Sequence, residues 1–492
     1  MRHRFTARRV IAAVAALGAL GALTMQARSD AIDEIDEIDE IAPSAVETTV
    51  APDASALDAS AADASAPDST ATDAPLSDPA LSDPSVATAA VGPPPAVEIV
   101  VEIDTNFVSF ASLNAAFGTT VVDVLTSIDD VALLRAPAGS DGAALALALR
   151  AVPGVEFADA NDAIEPPEVS ADRIYRWSES APAAATDPYA HALLGLDAAH
   201  LISRGGGVVV AVVDSGVQLD PEPHPDLAAV LVPGFDFVDG DAHPDDIGDG
   251  RDNNGNGVAD ESVGHGTHVA GIVHQVAPAA SIMPIRVLDS DGGGDEWAVA
   301  KGALYAADHG AQIVNLSLGR SGSATVLMRV ADELRRRSVF VVAAAGNEGR
   351  EVHQRPAAAR CVLAVVSTGP TDAVSPFSSF GTWADVGAPG EAIVSSFPGS
   401  SHASWDGTSM ATPFAAGQAA LMRALDPTLS VGELLGYIKT TAVPYSAAAY
   451  RAGVGRIDPT ASLQAAQLRT PLQVDESVVD ERCFELDYDD ND

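Results

Sequence analysis

From about Gly207 to Thr368 the chain follows a simple alternation. Unbroken apolar runs (GVVVAVVDSG, SIMPIRVLD, AQIVNLSLG, VFVVAAAGN and CVLAVVSTG) take turns with segments whose apolar residues recur every three or four positions (HGTHVAGIVHQVA, EWAVAKGALYAADHG and ATVLMRVADELRRRS). The runs are rich in β-branched residues and do not interleave polar positions, as strands buried on both faces require. The intervening segments have the length and period of crossover helices. The pattern predicts a doubly wound α/β domain with a mostly parallel sheet, spanning residues 189–468.

A smaller unit precedes it. VEIVVEID, FVSFASLNAAFG, the two runs in TTVVDVLTSIDDVALLRAP, DGAALALALRAV and GVEFADAN read as β-α-β-β-α-β within residues 97–165, a ferredoxin-like α/β arrangement. Residues 166–188 are irregular and join the two. Upstream, Asp53, Asp58, Asp63, Asp68, Asp73, Asp78 and Asp83 recur every five residues, a period that fits neither helix nor strand. Residues 32–96 hold no basic side chain and are expected to form an extended, self-repelling linker. At the start, Arg2, Arg4, Arg8 and Arg9 precede an apolar run from Val10 to about Leu23, shorter than the ~20 residues a membrane span needs. Residues 1–31 therefore read as a cleaved secretory signal, with general or twin-arginine export left open. Residues 469–492 form an acidic tail expected to be loosely ordered.

Charge narrows the function. The 492 residues carry 69 acidic against 27 basic side chains, a net −42, which excludes the basic surface that nucleic acid needs. An apolar content of 47% supports a large core. Two cysteines make no disulfide framework. Cys361 opens an apolar run and reads as a small buried hydrophobe, with pairing to Cys483 left open.

Polar residues that end buried strands are the first candidates for chemistry, because ligands of a parallel sheet sit at the strands' carboxyl ends. Asp214 and Asn347 occupy such positions, although turns and helix caps use the same residue types. His265 and His268 lie three apart on a helix start, but HExxH is absent and no third ligand matches a zinc site. Ser409 stands at the start of a helix beginning near Met410, where it is either a cap or a hydroxyl held at the positive helix end. The order Asp, His, Ser differs from that of α/β-hydrolases (Ser, Asp, His) and of the chymotrypsin type (His, Asp, Ser), and GTSMA is not a GxSxG elbow.

Residues from about 190 to 468 resemble the subtilisin-like serine proteases, the subtilases. AVVDSGV resembles their aspartate motif, GHGTHVAGI their histidine motif, AAAGNEG their oxyanion motif and GTSMATPFAAG their serine motif; NLSLG and FSSFGTWADVGAPG match as well. The resemblance implies Ser409 as nucleophile, His265 as its base, Asp214 as the partner of the imidazole, and Asn347 with the Ser409 N–H as oxyanion hole. It leaves His268 a structural role. It implies peptide-binding edges at Ser317, Leu318 and Gly319 and at Gly292 and Gly294, with protein or peptide substrates and no cofactor for the chemistry. Between Asn347 and Pro356 the chain is a few residues shorter than typical family members and offers His353, Gln354 and Arg355 near the pocket floor, a departure that puts an inherited preference for large apolar side chains in doubt. Residues 97–165 resemble the family's inhibitor-like propeptides, expected to cover the active site until cut away near Glu165. The expectation is a secreted, self-processing endopeptidase; the alternative is a catalytically silent binding module of the same fold.

One motif falls outside this account. In DNNGNGVAD, Asp252, Asn254, Asn256 and Asp260 set hard oxygen donors at alternate positions around Gly257, the pattern of a calcium loop. Some bacterial subtilases carry a similar insertion before the histidine. A solvated Asx-rich turn explains the same residues. If calcium binds there, its role is structural.

Overall fold

A computed structural model describes residues 97–128, 130–170, 188–445, 452–470, 472 and 483. The signal, the acidic linker and most of the acidic tail lie outside the described residues. The first element group is the expected small unit: β1 (Glu98–Ile103), α1 (Phe110–Phe117), β2 (Thr120–Val124), β3 (Val131–Arg135), α2 (Gly142–Arg150) and β4 (Val155–Ala160). Its antiparallel sheet has the order β2-β3-β1-β4. Side chains of β1 alternate between two cores. Ile99, Val101 and Ile103 pack with Leu113, Ala146 and Leu149 of the unit's own helices, whereas Val100 joins Leu133 and Phe157 in the core of the larger domain. A sheet buried on both faces explains why EIVVEI carries so few polar positions.

The larger domain is built on nine strands in the order β18-β19-β15-β14-β12-β10-β6-β8-β7. They are β6 (Val209–Asp214), β7 (Phe235–Asp236), β8 (Ser281–Arg286), β10 (Ile313–Leu316), β12 (Phe340–Ala344), β14 (Val362–Thr368), β15 (Val386–Pro389), β18 (Val443–Pro444) and β19 (Gly455–Arg456). Every pairing is parallel except β18 with β19. Helices α3 (His265–Val276) and α6 (Thr408–Leu425) cover one face; α4 (Glu296–Asp308) and α5 (Thr325–Arg336) cover the other. All five strands and all three helices expected from periodicity are present. The hairpin β16 (Ile393–Phe397) and β17 (Ser401–Trp405) has mixed polarity and left no signature in the sequence. Among the described residues no helix is long and apolar enough to cross a membrane.

The small unit docks on α4 and α5. Lys301 pairs with Asp123 at 2.6 Å and Arg329 with Glu102 at 3.1 Å. Asn161 Oδ1 accepts the Trp297 N–H and the Asp162 carbonyl accepts that of Glu296, so the turn after β4 satisfies donors at the free start of α4.

Cys361 is corrected by the structure. It forms a disulfide with Cys483, closing a separation of 122 residues, and both residues belong to the buried cluster to which α6 contributes. A residue of the acidic tail is thus stapled to the domain, and Cys361 is not a free hydrophobe.

Candidate active site

Each polar group of the site is delivered by an element end. Strand β6 runs between β10 and β8 and ends at Asp214, which is fully buried; its Oδ1 accepts the Ser215 N–H at 2.8 Å and lies 2.6 Å from His265 Nδ1. His265 opens α3 after Gly264, whose φ of 94° and contact with the Phe397 ring exclude any side chain. A Cβ on Gly266 would fall 2.1 Å from the Gly216 carbonyl, so only glycine lets α3 come this close to the end of β6. A glycine cap leaves the first turn without a side-chain acceptor, and Asp246 supplies one. Its carboxylate accepts Gly264 N–H (2.9 Å), Thr267 N–H (3.0 Å) and Thr267 Oγ1 (2.6 Å), while Ser215 Oγ takes the Gly266 N–H. Burial raises the Asp246 carboxyl to about 6, against the pull of these donors. Neither Asp246 nor Ser215 was identified from the sequence; one aspartate among the several of an acidic loop gives no signal.

The second pair comes from the other side of the sheet's carboxyl end. Beyond β12 the chain passes through Gly346 to Asn347, whose Oδ1 accepts both the N–H and the hydroxyl of Thr408 at 3.0 Å. That fixes the amide so that Nδ2 faces the cleft. Ser409 is the second residue of α6, with its N–H among the free donors at the helix start. Ser409 Oγ also donates to the Ser317 carbonyl at 3.1 Å, and Ser317 Oγ to the Ser409 carbonyl at 2.9 Å.

Asn347, Ser409 and His265 meet on the carboxylate of Glu168. Its Oε1 accepts Asn347 Nδ2 (3.0 Å) and the Ser409 N–H (3.3 Å); its Oε2 accepts Ser409 Oγ and lies 3.3 Å from His265 Nε2. Glu168 is 2% exposed. Burial opposes a charge on His265, but the flanking carboxylates of Asp214 and Glu168 outweigh it and carry the ring to about 10. The path to this position is extended. In β5 (Ala163–Ile164), Ile164 pairs with Gly294 of β9 (Gly294–Asp295), and the Glu165 carbonyl accepts the Gly319 N–H at 3.1 Å. A four-residue helix, Pro167–Ser170, then turns the Glu168 side chain inward. The stretch assigned to an irregular linker therefore includes the group held most tightly in the cleft.

Gly294 and Gly319 lie on the two edges that hold the chain, Ser317 touches Ser409, and Leu318 is buried in the core. Gly292 closes a turn onto the Asp289 carbonyl and does not pair with the extended segment. His268 Nε2 lies 3.1 Å from the carbonyls of Ile393 and Ala403, with its ring stacked on Trp405; burial lowers its pKa to about 3, so it is a neutral scaffold residue. In the Asx-rich loop, Asn254 and Asn256 turn Nδ2 to Glu261 (2.8 and 2.7 Å), while their Oδ1 atoms accept the N–H groups of Asn256 and Val258. Asp252 accepts Gly255, Asn256 and Gly257 N–H groups, and Asp260 those of Asp249 and Gly250. The loop's hard oxygens face their own backbone: Asp252 Oδ1 and Asp260 Oδ1 each accept two N–H groups, while Asp252 Oδ2, Asp260 Oδ2 and the Oδ1 atoms of Asn254 and Asn256 accept one each and keep a lone pair of the kind a calcium ion takes. Asp220, His243 and Asp245 form a separate acidic group that includes neither helix histidine.

An aspartate–histidine pair, a serine on a helix start and a fixed amide around one anion-sized position define a serine hydrolase on a parallel α/β sheet. Comparison narrows the class. A model of the subtilase family matches residues 205–464. Thermitase of Thermoactinomyces vulgaris is 44% identical over 231 residues, covering 45% of this chain and 76% of thermitase. Subtilisin BL of Lederbergia lenta is 36% identical over 247 residues, 48% of this chain and 84% of that protein. Among solved structures, a protease from Pseudoalteromonas arctica superposes with a TM-score of 0.52 at 32% identity, over 56% of this chain and 94% of that one. Fervidolysin from Fervidobacterium pennivorans shares the fold over 77% of this chain and 62% of its own, at a TM-score of 0.60 and 24% identity. The chain belongs to the subtilase family of serine proteases.

Proposed function

We propose that the protein is a secreted serine endopeptidase made as a self-inhibited precursor. Ser409 is the nucleophile; His265 takes its proton; Asp214 holds the Nδ1–H tautomer and stabilises the imidazolium; Asn347 Nδ2 and the Ser409 N–H stabilise the oxyanion. The observation that carries this reading is the convergence of all these donors on one carboxylate. Glu168 Oε1 lies where a carbonyl oxygen would develop negative charge, with donors 3.0 and 3.3 Å away. Ser409 Oγ attacks the scissile carbonyl as His265 takes its proton, the tetrahedral intermediate collapses to the acyl-enzyme as His265 gives that proton to the leaving amine, and a water deprotonated by His265 then hydrolyses the ester. While Glu168 is in place it fills the oxyanion position and keeps His265 protonated, so Ser409 has no base. Residues 97–165 act as the propeptide, and withdrawal of the segment that follows opens the cleft. The disulfide supports export to an oxidising compartment.

A fluorophosphonate probe tests the assignment. In the processed enzyme we expect it to phosphonylate Ser409, as mapped by peptide mass spectrometry, with loss of caseinolytic activity in proportion. Labelling elsewhere, or full activity after labelling, overturns it.

The Asx-rich loop is proposed to bind a structural calcium through Asp252, Asn254, Asn256 and Asp260. The Asp291 carboxylate takes the Asp260 N–H and ties this loop to the turn before the Gly294 edge, so a bound cation would stiffen both. A ligand at about 100 times its dissociation constant stabilises the folded state by about 2.7 kcal/mol. Chelation of the Ser409→Ala protein should lower its Tm by several degrees, on the order of 5–10 °C, and calcium should restore it. Equal Tm values in chelator and in calcium would remove the proposal.

A further inference from the structure

The edges that hold residues 163–165 also define where a substrate side chain must go. A residue whose carbonyl occupies the Glu168 Oε1 position, on a chain held by Gly319, has its Cα between two walls. One wall is Ser317–Gly319, beyond β10; the other is Ala345–Asn347, beyond the neighbouring parallel strand β12. Its side chain enters the gap between them. Both walls present a glycine to that gap, and the gap is occupied. A Cβ placed on Gly346 would lie 2.7 Å from Gln354 Cγ and 2.8 Å from its Nε2, and one placed on Gly319 would lie 3.8 Å from Gln354 Oε1. Glu348 Oε2 is equally close to the Gly346 position, at 2.7 Å, and the Arg355 carbonyl lies 2.9 Å from the Gly319 position, so Gln354 reaches both walls and fills the gap together with these two groups.

Gln354 is not a loose surface residue. It is 4% exposed and lies in β13 (Gln354–Arg355), which pairs antiparallel with β11 (Arg320–Ser321) directly beyond Gly319. Its carbonyl accepts the Ala358 N–H at 2.8 Å. Its Nε2 donates to the Glu348 carboxylate, whose other oxygen accepts Ser379 Oγ. Its Oε1 is buried without a hydrogen-bond partner. Swinging Gln354 aside would break the amide–carboxylate bond and leave the Glu348 oxygen short of a donor. His353, by contrast, is exposed.

We infer that Gln354 closes the pocket for the residue before the scissile bond, restricting this protease to small side chains there: glycine, alanine or serine. The inference rests on the proposed triad and cleft. A leucine or phenylalanine would have to overlap Gln354 in a packed site, and fits of that kind separate substrates by about 10–200-fold. The serine hydroxyl has a further advantage, since it can donate to the unpartnered Oε1.

The test uses the self-processed enzyme on tetrapeptide p-nitroanilides that differ only in their last residue: alanine, serine, leucine or phenylalanine. For the wild type, kcat/KM should be at least about 10-fold higher for alanine and serine than for phenylalanine. Gln354→Gly and Gln354→Ala should raise the phenylalanine value relative to alanine by about 10–100-fold. Thermal melts of both variants establish that they are folded, and a failed fold in one leaves the other as the test. A wild type that cleaves after phenylalanine as well as after alanine overturns the inference, as does an unchanged ratio in folded variants. A protein that is neither labelled by the fluorophosphonate nor active on casein refutes the protease reading instead.

Discussion

Replacing Ser409 by alanine should lower turnover on casein by about 10⁶-fold and leave the precursor whole. Loss of the nucleophile removes the acyl-enzyme route outright, and in triad proteases the residual rate comes from the oxyanion donors and binding alone. The effect on processing follows from the same geometry. Ile164 and Glu165 already lie on the two edges of the cleft, and the Glu168 side chain fills its centre. Once the Glu168 side chain leaves the centre, the chain's own residues are the nearest substrate available to Ser409. Wild-type protein refolded from purified precursor should yield new N-termini between Glu165 and Pro188, and the Ser409→Ala protein should yield none. Identical termini in both, from material free of host proteases, would exclude self-processing. Thermal melts of the variant should stay close to those of the wild-type precursor, because Ser409 Oγ contributes only its bonds to the Ser317 carbonyl and the Glu168 carboxylate.

What could be read in the sequence and what could not divide along physical lines. The buried strands and crossover helices were legible because burial on both faces forces long apolar runs and packing on one face forces a period near 3.6. Asp214, His265, Asn347 and Ser409 were legible because each stands at an element end inside a motif of fixed composition. The alternating β1 strand was legible as a strand, but its second buried face, where Val100 meets the larger domain, depends on a docking that no local pattern encodes. Asp246 and Thr408 were not found. Both act through hydrogen bonds to residues far along the chain, Gly264 and Asn347 respectively, and their own neighbourhoods look like ordinary loop and helix start. Glu168 was hidden for a different reason. It lies between two prolines and a polar stretch, a composition that reads as linker, and only the pairing of Ala163 with Asp295 and of Ile164 with Gly294 reveals its aim.

The disulfide is the other feature that composition concealed, and its removal should cost a large share of the stability. Cys361 and Cys483 close a chain separation of 122 residues. In the chain-entropy account a loop of that order constrains the unfolded state by about 4–5 kcal/mol, and native disulfides typically contribute about 2–4 kcal/mol. Here packing adds to the constraint. Cys483 is buried in the cluster that contains Leu363, Leu434, Leu435 and Ile438, so cutting the bond also releases the tail that carries it. Cys361→Ser and Cys483→Ser, each made in the Ser409→Ala background so that autolysis cannot confuse the melt, should lower Tm by about 5–15 °C. The double variant should fall no further than either single one, because the two residues share a single interaction. Adding a reductant should reproduce the shift in the Ser409→Ala parent and leave the cysteine variants unmoved. A parent whose Tm is insensitive to reduction, with both thiols then shown to be alkylated, would refute a stabilising role for the bond.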